Sequence, residues 1–215
     1  MTTFAGWPEA ALDFYRGLEA DNSKAYWTAH KAVYEASVLG PMQALLEDLA
    51  GEFGEPHVFR PYRDIRFSAD KTPYKTAIGA TLGGSGYVQL SATGLGIGAG
   101  CHVMAPDQLA RFRAAVDAER SGDALVAAIA EVESGGVAVT AHEQLKRVPR
   151  GFDSEHPRAE LLRDKDLVAW KDWPVAPWLH TAEAEQVVAD ALRTSRPLTR
   201  WLDEHVGPST APARR

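Results

Sequence analysis

The sequence predicts an α+β fold, with a single domain over residues 1–207 and a disordered tail at 208–215. Up to residue 53, apolar residues recur every three or four positions, which is typical of amphipathic helices. Between residues 57 and 104 the apolar period changes to two, which indicates strands. Helical spacing then returns. Because the predicted strands are joined by short links, we expect a mainly antiparallel sheet of about four or five strands, including one late strand, packed against N-terminal and C-terminal helices.

Three helices are predicted before the sheet. The first begins near Pro8, because proline suits the first helical turn. Asp21-Asn22-Ser23 offers N-cap side chains for the second helix, and we expect Gly40-Pro41 to end that helix and begin the third. The third helix has one apolar stripe, formed by Met42, Leu45, Leu46, Leu49 and Phe53.

The first predicted strand runs from His57 to Phe67. Strand alternation places one set of side chains on the core face, namely Phe59, Pro61, Arg63, Ile65 and Phe67. The opposite face then carries Arg60, Tyr62, Asp64 and Arg66. After a turn at Ser68–Lys71, the next strands are expected at Tyr74–Leu82, Tyr87–Ser91 and Leu95–Val103.

The rest of the chain is predicted to be mostly helical. Helices are expected from Pro106 to about Arg120, over Leu125–Val132 after a new cap at Ser121-Gly122-Asp123, from Pro157, and from Thr181 with an interruption at Pro197. A short strand is expected at Val137–Thr140 and a late one at Asp166–Trp170. Residues 145–153 should form an irregular basic loop.

The fourth predicted strand has one bare face, because Gly96, Gly98 and Gly100 alternate with apolar residues. Glycine in a strand often marks close approach by a ligand or by another part of the chain. The strip could therefore be the floor of a groove whose wall is the Arg60–Arg66 row. Alternatively, a bulky side chain such as a tryptophan packs onto these glycines.

Composition excludes several functions. Of the 215 residues, 45% are hydrophobic and 24% are charged, which is ordinary for a globular protein with a sizeable core. No stretch approaches the roughly 18 apolar residues of a membrane span, and no signal peptide is evident. The single cysteine, Cys101, suits a reducing compartment, so we expect a cytoplasmic protein. A net charge of −6 makes nucleic acid an unfavourable partner.

Positive charge is nevertheless concentrated in two segments, Arg60–Thr76 and Lys146–Arg150. Arginine presents a planar fork of donors that matches phosphate or carboxylate, and lysine adds a movable point charge. We therefore predict that the two segments meet around a groove that binds an anion. The candidate ligand-binding residues are Arg60, Tyr62, Arg63, Asp64, Arg66, Asp70, Lys71, Tyr74, Lys75, Lys146, Arg147 and Arg150.

A purely structural role suits the same residues. Arg63 and Arg66 could pair with Asp64, Asp70 or acids on the helices, and could fix the strand–turn–strand geometry without binding anything. Arg63 is the sharpest case, because alternation points it towards the core. A buried guanidinium must be paired, so either a carboxylate or a bound anion is expected beside Arg63.

Catalysis is left open by the sequence. In an enzyme, Arg66 and Lys71 would stabilise charge, while Asp64, Asp70 or Tyr74 would handle a proton.

Neither a metal site nor a cofactor is predicted. His142-Glu143 lacks the second histidine of a zinc-protease helix. The glycines of 94–100 do not lead from a strand into a helix, as a dinucleotide-binding motif requires. Cys101, on the apolar strand face, is typical of a small buried hydrophobic residue rather than a nucleophile.

Three stretches resemble a known family. RDIRFSADKTPYKT, LKRVPRGFDSEHPRAELLR and DNSKAYWTAHKAVYE are similar to the bacterial and fungal family called domain of unknown function 2461. The similarity extends from Phe14 to about Trp201. Members often have a glutamate before the aromatic pair of the second helix, where this chain has Ala25 before Tyr26-Trp27. The resemblance implies a shared fold and a shared use of the two basic motifs, and it implies no activity.

The sequence therefore supports binding of an anionic small molecule, such as a phosphorylated metabolite, in a groove formed by the two basic segments. Two alternatives stay open. The segments could dock an acidic partner or a short nucleic acid, or they could be an arginine network with a structural role only.

Overall fold

The computed structural model describes residues 3–66 and 68–210 and confirms the α+β fold. The helices are α1 (Glu9–Ala20), α2 (Lys24–Val33), α3 (Gly40–Phe53), α4 (Pro106–Asp117), α5 (Glu119–Ser134), α6 (Ala159–Arg163), α7 (Glu183–Thr194) and α8 (Arg196–His205). The strands are β1 (Pro56–Val58), β2 (Ala77–Leu82), β3 (Gly86–Ser91), β4 (Gly94–Cys101), β5 (Ala138–Thr140) and β6 (Leu167–Pro174). None of the described helices is both long enough and apolar enough to cross a bilayer.

The strands of the described chain form one six-stranded antiparallel sheet in the order β1-β2-β3-β4-β6-β5. The first four strands follow one another as a meander, as predicted. Ala77 pairs with Ser91 and Leu82 with Gly86, so the tight turn between β2 and β3 fixes their register. The sheet has six strands, one more than the upper limit of the predicted four or five, because the short strand expected at Val137–Thr140 joins it as β5 beside β6.

Contacts within the chain define two compact units. The first unit runs up to Ile97 and includes Asp172–Asp190, and the second comprises Gly98–Lys171 and the chain from Ala191 onwards. The single domain over 1–207 stays a prediction. In the predicted tail at 208–215, Ser209 and Thr210 donate hydrogen bonds to the Asp107 carboxylate, and 211–215 lie outside the described residues.

The N-terminal helices follow the prediction, with one correction. Ser23 is the N-cap of α2, because its hydroxyl accepts a hydrogen bond from the Tyr26 amide at 3.1 Å. Gly40-Pro41 does not end the helix. Pro41 has no N–H, and a π-helical turn (Tyr34–Leu39) absorbs the missing donor, since the Gly40 amide donates to the Glu35 carbonyl five residues back. The backbone therefore stays helical from α2 into α3.

The long strand predicted from His57 is wrong. β1 ends at Val58, and the described residues between 59 and 76 are irregular apart from one bridge that pairs Tyr62 with Tyr74. Alternation therefore does not sort the side chains of this segment onto two faces. Phe67, predicted on the inward face, lies outside the described residues.

Two prolines explain why the pairing fails. Neither Pro61 nor Pro73 can donate to a neighbouring strand. Their carbonyls accept hydrogen bonds instead, from the Lys75 amide at 2.8 Å and the Arg63 amide at 2.9 Å. These two backbone hydrogen bonds form the Tyr62–Tyr74 bridge, and side-chain hydrogen bonds from Arg63 to Asp70 and Thr72 also connect the two arms of the segment.

The glycine strip of β4 is covered by protein. A Cβ atom added at Gly98 would lie 2.9 Å from Cε3 of Trp170, on β6. At Gly100, which has a φ of +136°, an added Cβ would collide with the Leu167 carbonyl. The alternative that a tryptophan packs on these glycines is therefore confirmed at Gly98, and glycine there serves packing between strands rather than a ligand.

The break between α4 and α5 comes earlier than expected. Ala118 adopts an extended conformation (φ −64°, ψ 132°) and caps α5, whereas the new cap was predicted at 121–123. Ser121 does not cap, because its hydroxyl donates to the Ala115 carbonyl at 2.6 Å. Gly122 leaves room for Arg158, whose Nε donates to the Val116 carbonyl at 2.7 Å.

Candidate functional site

A cavity of about 580 Å³ lies in the first unit. Its residues come from the end of α1 and the loop that follows it, from the irregular segment 59–76, and from β2 and β3. It is lined by Glu19, Asn22, Phe59, Arg63, Asp70, Thr72, Tyr74, Lys75, Thr76, Ala77, Gly79, Tyr87 and Gln89. The volume falls within the roughly 300–1,000 Å³ typical of small-molecule sites.

Asn22 connects the irregular segment to the helices. Its side-chain oxygen accepts from the Tyr74 amide at 3.0 Å, and its side-chain nitrogen donates to the Tyr74 carbonyl at 3.1 Å. The Tyr74 ring stacks on Trp27 of α2, with centroids 4.4 Å apart and planes within 6°. Together these contacts fix one wall of the cavity. Nothing local in the sequence reveals them, because 52 positions separate Asn22 from Tyr74.

Arg63 is paired with a carboxylate, which is one of the two partners expected for it. It lies in a loop, however, and not on the core face of a strand. Its Nη1 donates to the Asp70 carboxylate and to the Thr72 hydroxyl, and 31% of its side chain is exposed. The carboxylate of Asp70 also accepts from the Thr72 amide at 2.9 Å. The hydrogen bond from Arg63 lowers the pKa of Asp70 to about 2, so this carboxyl group is ionised at neutral pH.

Lys75 supplies the other cation of the cavity. Its Nζ lies 5.3 Å from the centroid of the Phe59 ring, within cation–π range. No carboxylate in the described part of the chain pairs with it. Glu19, at the end of α1, is the second acid in the lining besides Asp70. The cavity is therefore polar with mixed charge, and it is not uniformly basic.

The remaining predicted residues of this segment do not line the cavity. The Asp64 carboxylate accepts two bonds from the Arg66 guanidinium, at 3.0 and 2.7 Å, although 76% of the Arg66 side chain is exposed. Lys71 donates to the Ile65 carbonyl at 2.9 Å. Of the three candidate residues Arg66, Lys71 and Lys75, the cavity lining therefore contains Lys75 alone. Arg60 and Tyr62 also lie outside the lining.

Proton transfer finds little support at these positions. The ion pair with Arg66 lowers the pKa of Asp64 to about 2, as Arg63 does for Asp70. Both groups are therefore weak bases that have no proton to donate at neutral pH. Burial raises the pKa of Tyr74, which keeps its hydroxyl protonated. The arrangement is suited to binding charge.

Lys146, Arg147 and Arg150 belong to the second unit. They lie in the irregular loop predicted for 145–153, and all three are exposed. None forms an ion pair with a described residue. A groove shared with Arg60–Thr76 stays a prediction.

Sequence reasoning missed part of the lining, namely Glu19, Asn22, Phe59, Thr72, Thr76, Ala77, Gly79, Tyr87 and Gln89. The sequence predicts Asn22 only as part of a helix cap. The residues of β2 and β3 could have been found from alternation, but only with the position of the irregular segment known.

Among the residues that the structure describes, no three histidine, cysteine or acidic side chains group around a possible metal position.

Fold and cavity together define the class: an α+β protein with a six-stranded antiparallel sheet and a mixed-charge cavity beside β2 and β3. Comparison with protein families matches residues 10–201 to the family described as conserved hypothetical protein (DUF2461). The chain belongs to this family, as its motifs indicated. A comparison with curated proteins finds no match.

Proposed function

We propose that the cavity of the first unit binds an anionic small molecule, such as a phosphorylated metabolite. The observation that carries this proposal is Lys75, a residue of the cavity lining whose ammonium group is not neutralised by any described carboxylate. An unpaired cation beside an aromatic ring, in a concave site, attracts an anion more strongly than the same cation on an open surface.

Arg63 strengthens the argument. A guanidinium has five N–H donors in a planar fork. In the described structure only Nη1 of Arg63 is engaged, with Asp70 and Thr72, so Nε and Nη2 are available. Asp70 holds the fork in place, and the open donors match two oxygens of a phosphate or carboxylate.

Glu19 narrows the class of ligand. A carboxylate in the lining repels a second anionic group but accepts hydrogen bonds from hydroxyls. The cavity is therefore suited to a molecule with one anionic group and several hydroxyls, as in a sugar phosphate. Phe59 and Tyr87 would contact its apolar faces.

Thermal denaturation with glucose 6-phosphate, and with glucose as the uncharged control, tests the proposal. At 100 Kd a ligand adds about 2.7 kcal/mol, which raises the Tm of a chain of this size by roughly 5–11 °C. Lys75→Gln removes a charge-assisted bond of about 1.5–3 kcal/mol, so affinity should fall roughly ten- to 150-fold. Lys31→Gln, at a lysine of α2 that pairs with Glu35, is the matched control and should bind normally.

The shared groove has its own variant. If the two basic segments form one site, Lys146→Ala should weaken glucose 6-phosphate binding as Lys75→Gln does. Normal binding by Lys146→Ala would confine the site to the first unit. Anion binding would be contradicted if glucose and glucose 6-phosphate raised the Tm equally, or if neither raised it.

A second candidate function rests on the exposed cations Lys146, Arg147 and Arg150, none of which pairs with a described acid. We propose as the alternative that this loop docks an acidic partner or a short nucleic acid. Affinity for a fluorescent acidic peptide or oligonucleotide should then fall steeply with salt. A cytoplasmic location is part of both proposals, because a lone cysteine suits a reducing compartment.

A further inference from the structure

A separate group of side chains lies in the second unit, at one end of three neighbouring strands. His102 follows β4, His142 follows β5, and Asp166 precedes β6. Because β6 lies between β4 and β5 in the sheet and runs opposite to β5, these positions meet at the same end of the strands. None of the three belongs to the cavity described above.

Asp166 places a buried carboxylate at this end of the strands. Only 3% of its side chain is exposed. Its two oxygens accept three N–H groups: the His142 amide at 2.7 Å, the Glu143 amide at 2.9 Å and His142 Nδ1 at 3.2 Å. A buried carboxylate held by two backbone amides has little freedom to turn. It therefore presents a fixed acceptor to the imidazole.

This contact decides the tautomer of His142. A carboxylate can only accept, so the hydrogen-bonded Nδ1 must carry the proton. In the neutral ring Nε2 then has a free lone pair. No other described residue hydrogen-bonds to the ring, and 46% of the side chain is exposed. An imidazole oriented by a buried carboxylate is an acceptor of fixed direction.

A small cavity adjoins the His142 ring. A space of about 220 Å³ is lined by His142 and Asp166 together with His102, Met104, Leu109 and Lys165. The His102 ring stands edge-on to the His142 ring, with centroids 4.8 Å apart. At about 30 Å³ for each water in the liquid, the space holds roughly seven waters, or an organic molecule of about that many non-hydrogen atoms.

Charge defines the class of molecule. Lys165 is already paired with Glu143 at 2.7 Å, so the Asp166 carboxylate leaves the lining with a net negative charge. An anion is disfavoured there, in contrast to the cavity of the first unit. A neutral hydroxyl can donate to Nε2, while its carbon framework contacts Met104 and Leu109.

We propose that this end of the strands in the second unit is a second binding site, which takes a small uncharged molecule with a hydroxyl donor, and that His142, positioned by Asp166, is its acceptor. The proposal is independent of anion binding in the first unit.

Phenol is the probe and anisole, which has the same ring without the hydroxyl, is its control. NMR of the histidine ring protons should show His142 and His102 shifting saturably with phenol. One hydrogen bond is worth about 0.5–1.5 kcal/mol, so anisole should bind roughly two- to twelvefold more weakly. His142→Leu replaces the imidazole with an apolar side chain at this half-exposed position and so removes the acceptor. It should bring phenol affinity down to that of anisole.

The tautomer is a second readout that needs no variant. Long-range ¹H–¹⁵N spectra of the unmodified protein should show His142 protonated on Nδ1 at a pH where the ring is neutral. His30, whose Nδ1 lies 2.9 Å from the Tyr26 carbonyl, is an internal reference for the same tautomer. A proton on Nε2 of His142 would overturn the proposal. Equal affinities for phenol and anisole, or no saturable shift with phenol, would overturn it as well.

Discussion

Replacing Asn22 with alanine should destabilise the protein although Asn22 lies in a loop between two helices. The side chain makes two hydrogen bonds to the backbone of Tyr74, at 3.0 and 3.1 Å. Tyr74 is 5% exposed, so in the variant its amide and carbonyl lose partners in a site that water reaches poorly. At about 0.5–1.5 kcal/mol for each bond, the free energy of unfolding should fall by about 1–3 kcal/mol.

Thermal unfolding measures this change. For a chain of this size, 1 kcal/mol corresponds to about 2–4 °C, so the Tm should fall by roughly 2–12 °C. Urea denaturation followed by tryptophan fluorescence is a second assay, since Trp27 stacks on Tyr74 and reports on the same wall. Ligand binding should weaken in parallel, because Tyr74 lines the cavity.

Ser23→Ala is the matched comparison for Asn22→Ala. It removes the N-cap bond of α2, which is worth about 1 kcal/mol, and leaves the bonds to Tyr74 in place. Ser23→Ala should therefore lower stability while glucose 6-phosphate binding is kept. If Asn22→Ala shifted the free energy of unfolding by less than about 0.5 kcal/mol, the range of ordinary surface substitutions, the reasoning would be refuted.

Three further outcomes are expected. Gly98→Ala should lower the free energy of unfolding, measured by urea denaturation, by about 1–3 kcal/mol, because the new methyl group would lie 2.9 Å from the Trp170 ring. Unchanged stability would show that the ring moves freely. Asp70 has a pKa lowered from 3.8 to about 2, so its stabilising contribution is present above pH 4 and is lost as the pH falls towards 2; Asp70→Asn should flatten this part of the stability profile. Burial raises the pKa of Asp164 to about 6, so its ionisation destabilises the fold as the pH rises from 4 through 6. Asp164→Asn should therefore raise the free energy of unfolding at pH 8 by at most about 3 kcal/mol, seen as a higher Tm, and should change it little at pH 4.

The sequence predicted the elements whose signals are local. Ser23 as the cap of α2 and the alternation of β3 both depend on neighbouring residues, and both are present in the structure. The prediction went wrong where a local rule met a compensation. Pro41 breaks an ordinary helix, yet the π-helical turn before it removes the conflict with the missing N–H.

The candidate site was predictable in composition but not in geometry. Arg63, Asp70, Tyr74 and Lys75 were all proposed from the sequence, and all four line the cavity. The argument from strand faces was wrong, because Pro61 and Pro73 prevent regular pairing in this segment. The contact between Asn22 and Tyr74 joins positions far apart in sequence, and periodicity contains no information about such pairs.

The basic segment also shows why counting charges misleads. Asp64 neutralises Arg66 across two residues, and Asp70 neutralises Arg63 across seven. What can attract a ligand is the charge left after these pairs form, and in the cavity lining that charge is Lys75, together with the open donors of Arg63. A variant that removes Arg66 should therefore change the loop and leave affinity for glucose 6-phosphate nearly unaltered, whereas Lys75→Gln should abolish most of it. If Arg66→Gln weakened binding as much as Lys75→Gln, the paired arginine would have to exchange Asp64 for the ligand, and pairing in the free protein would not identify the binding groups.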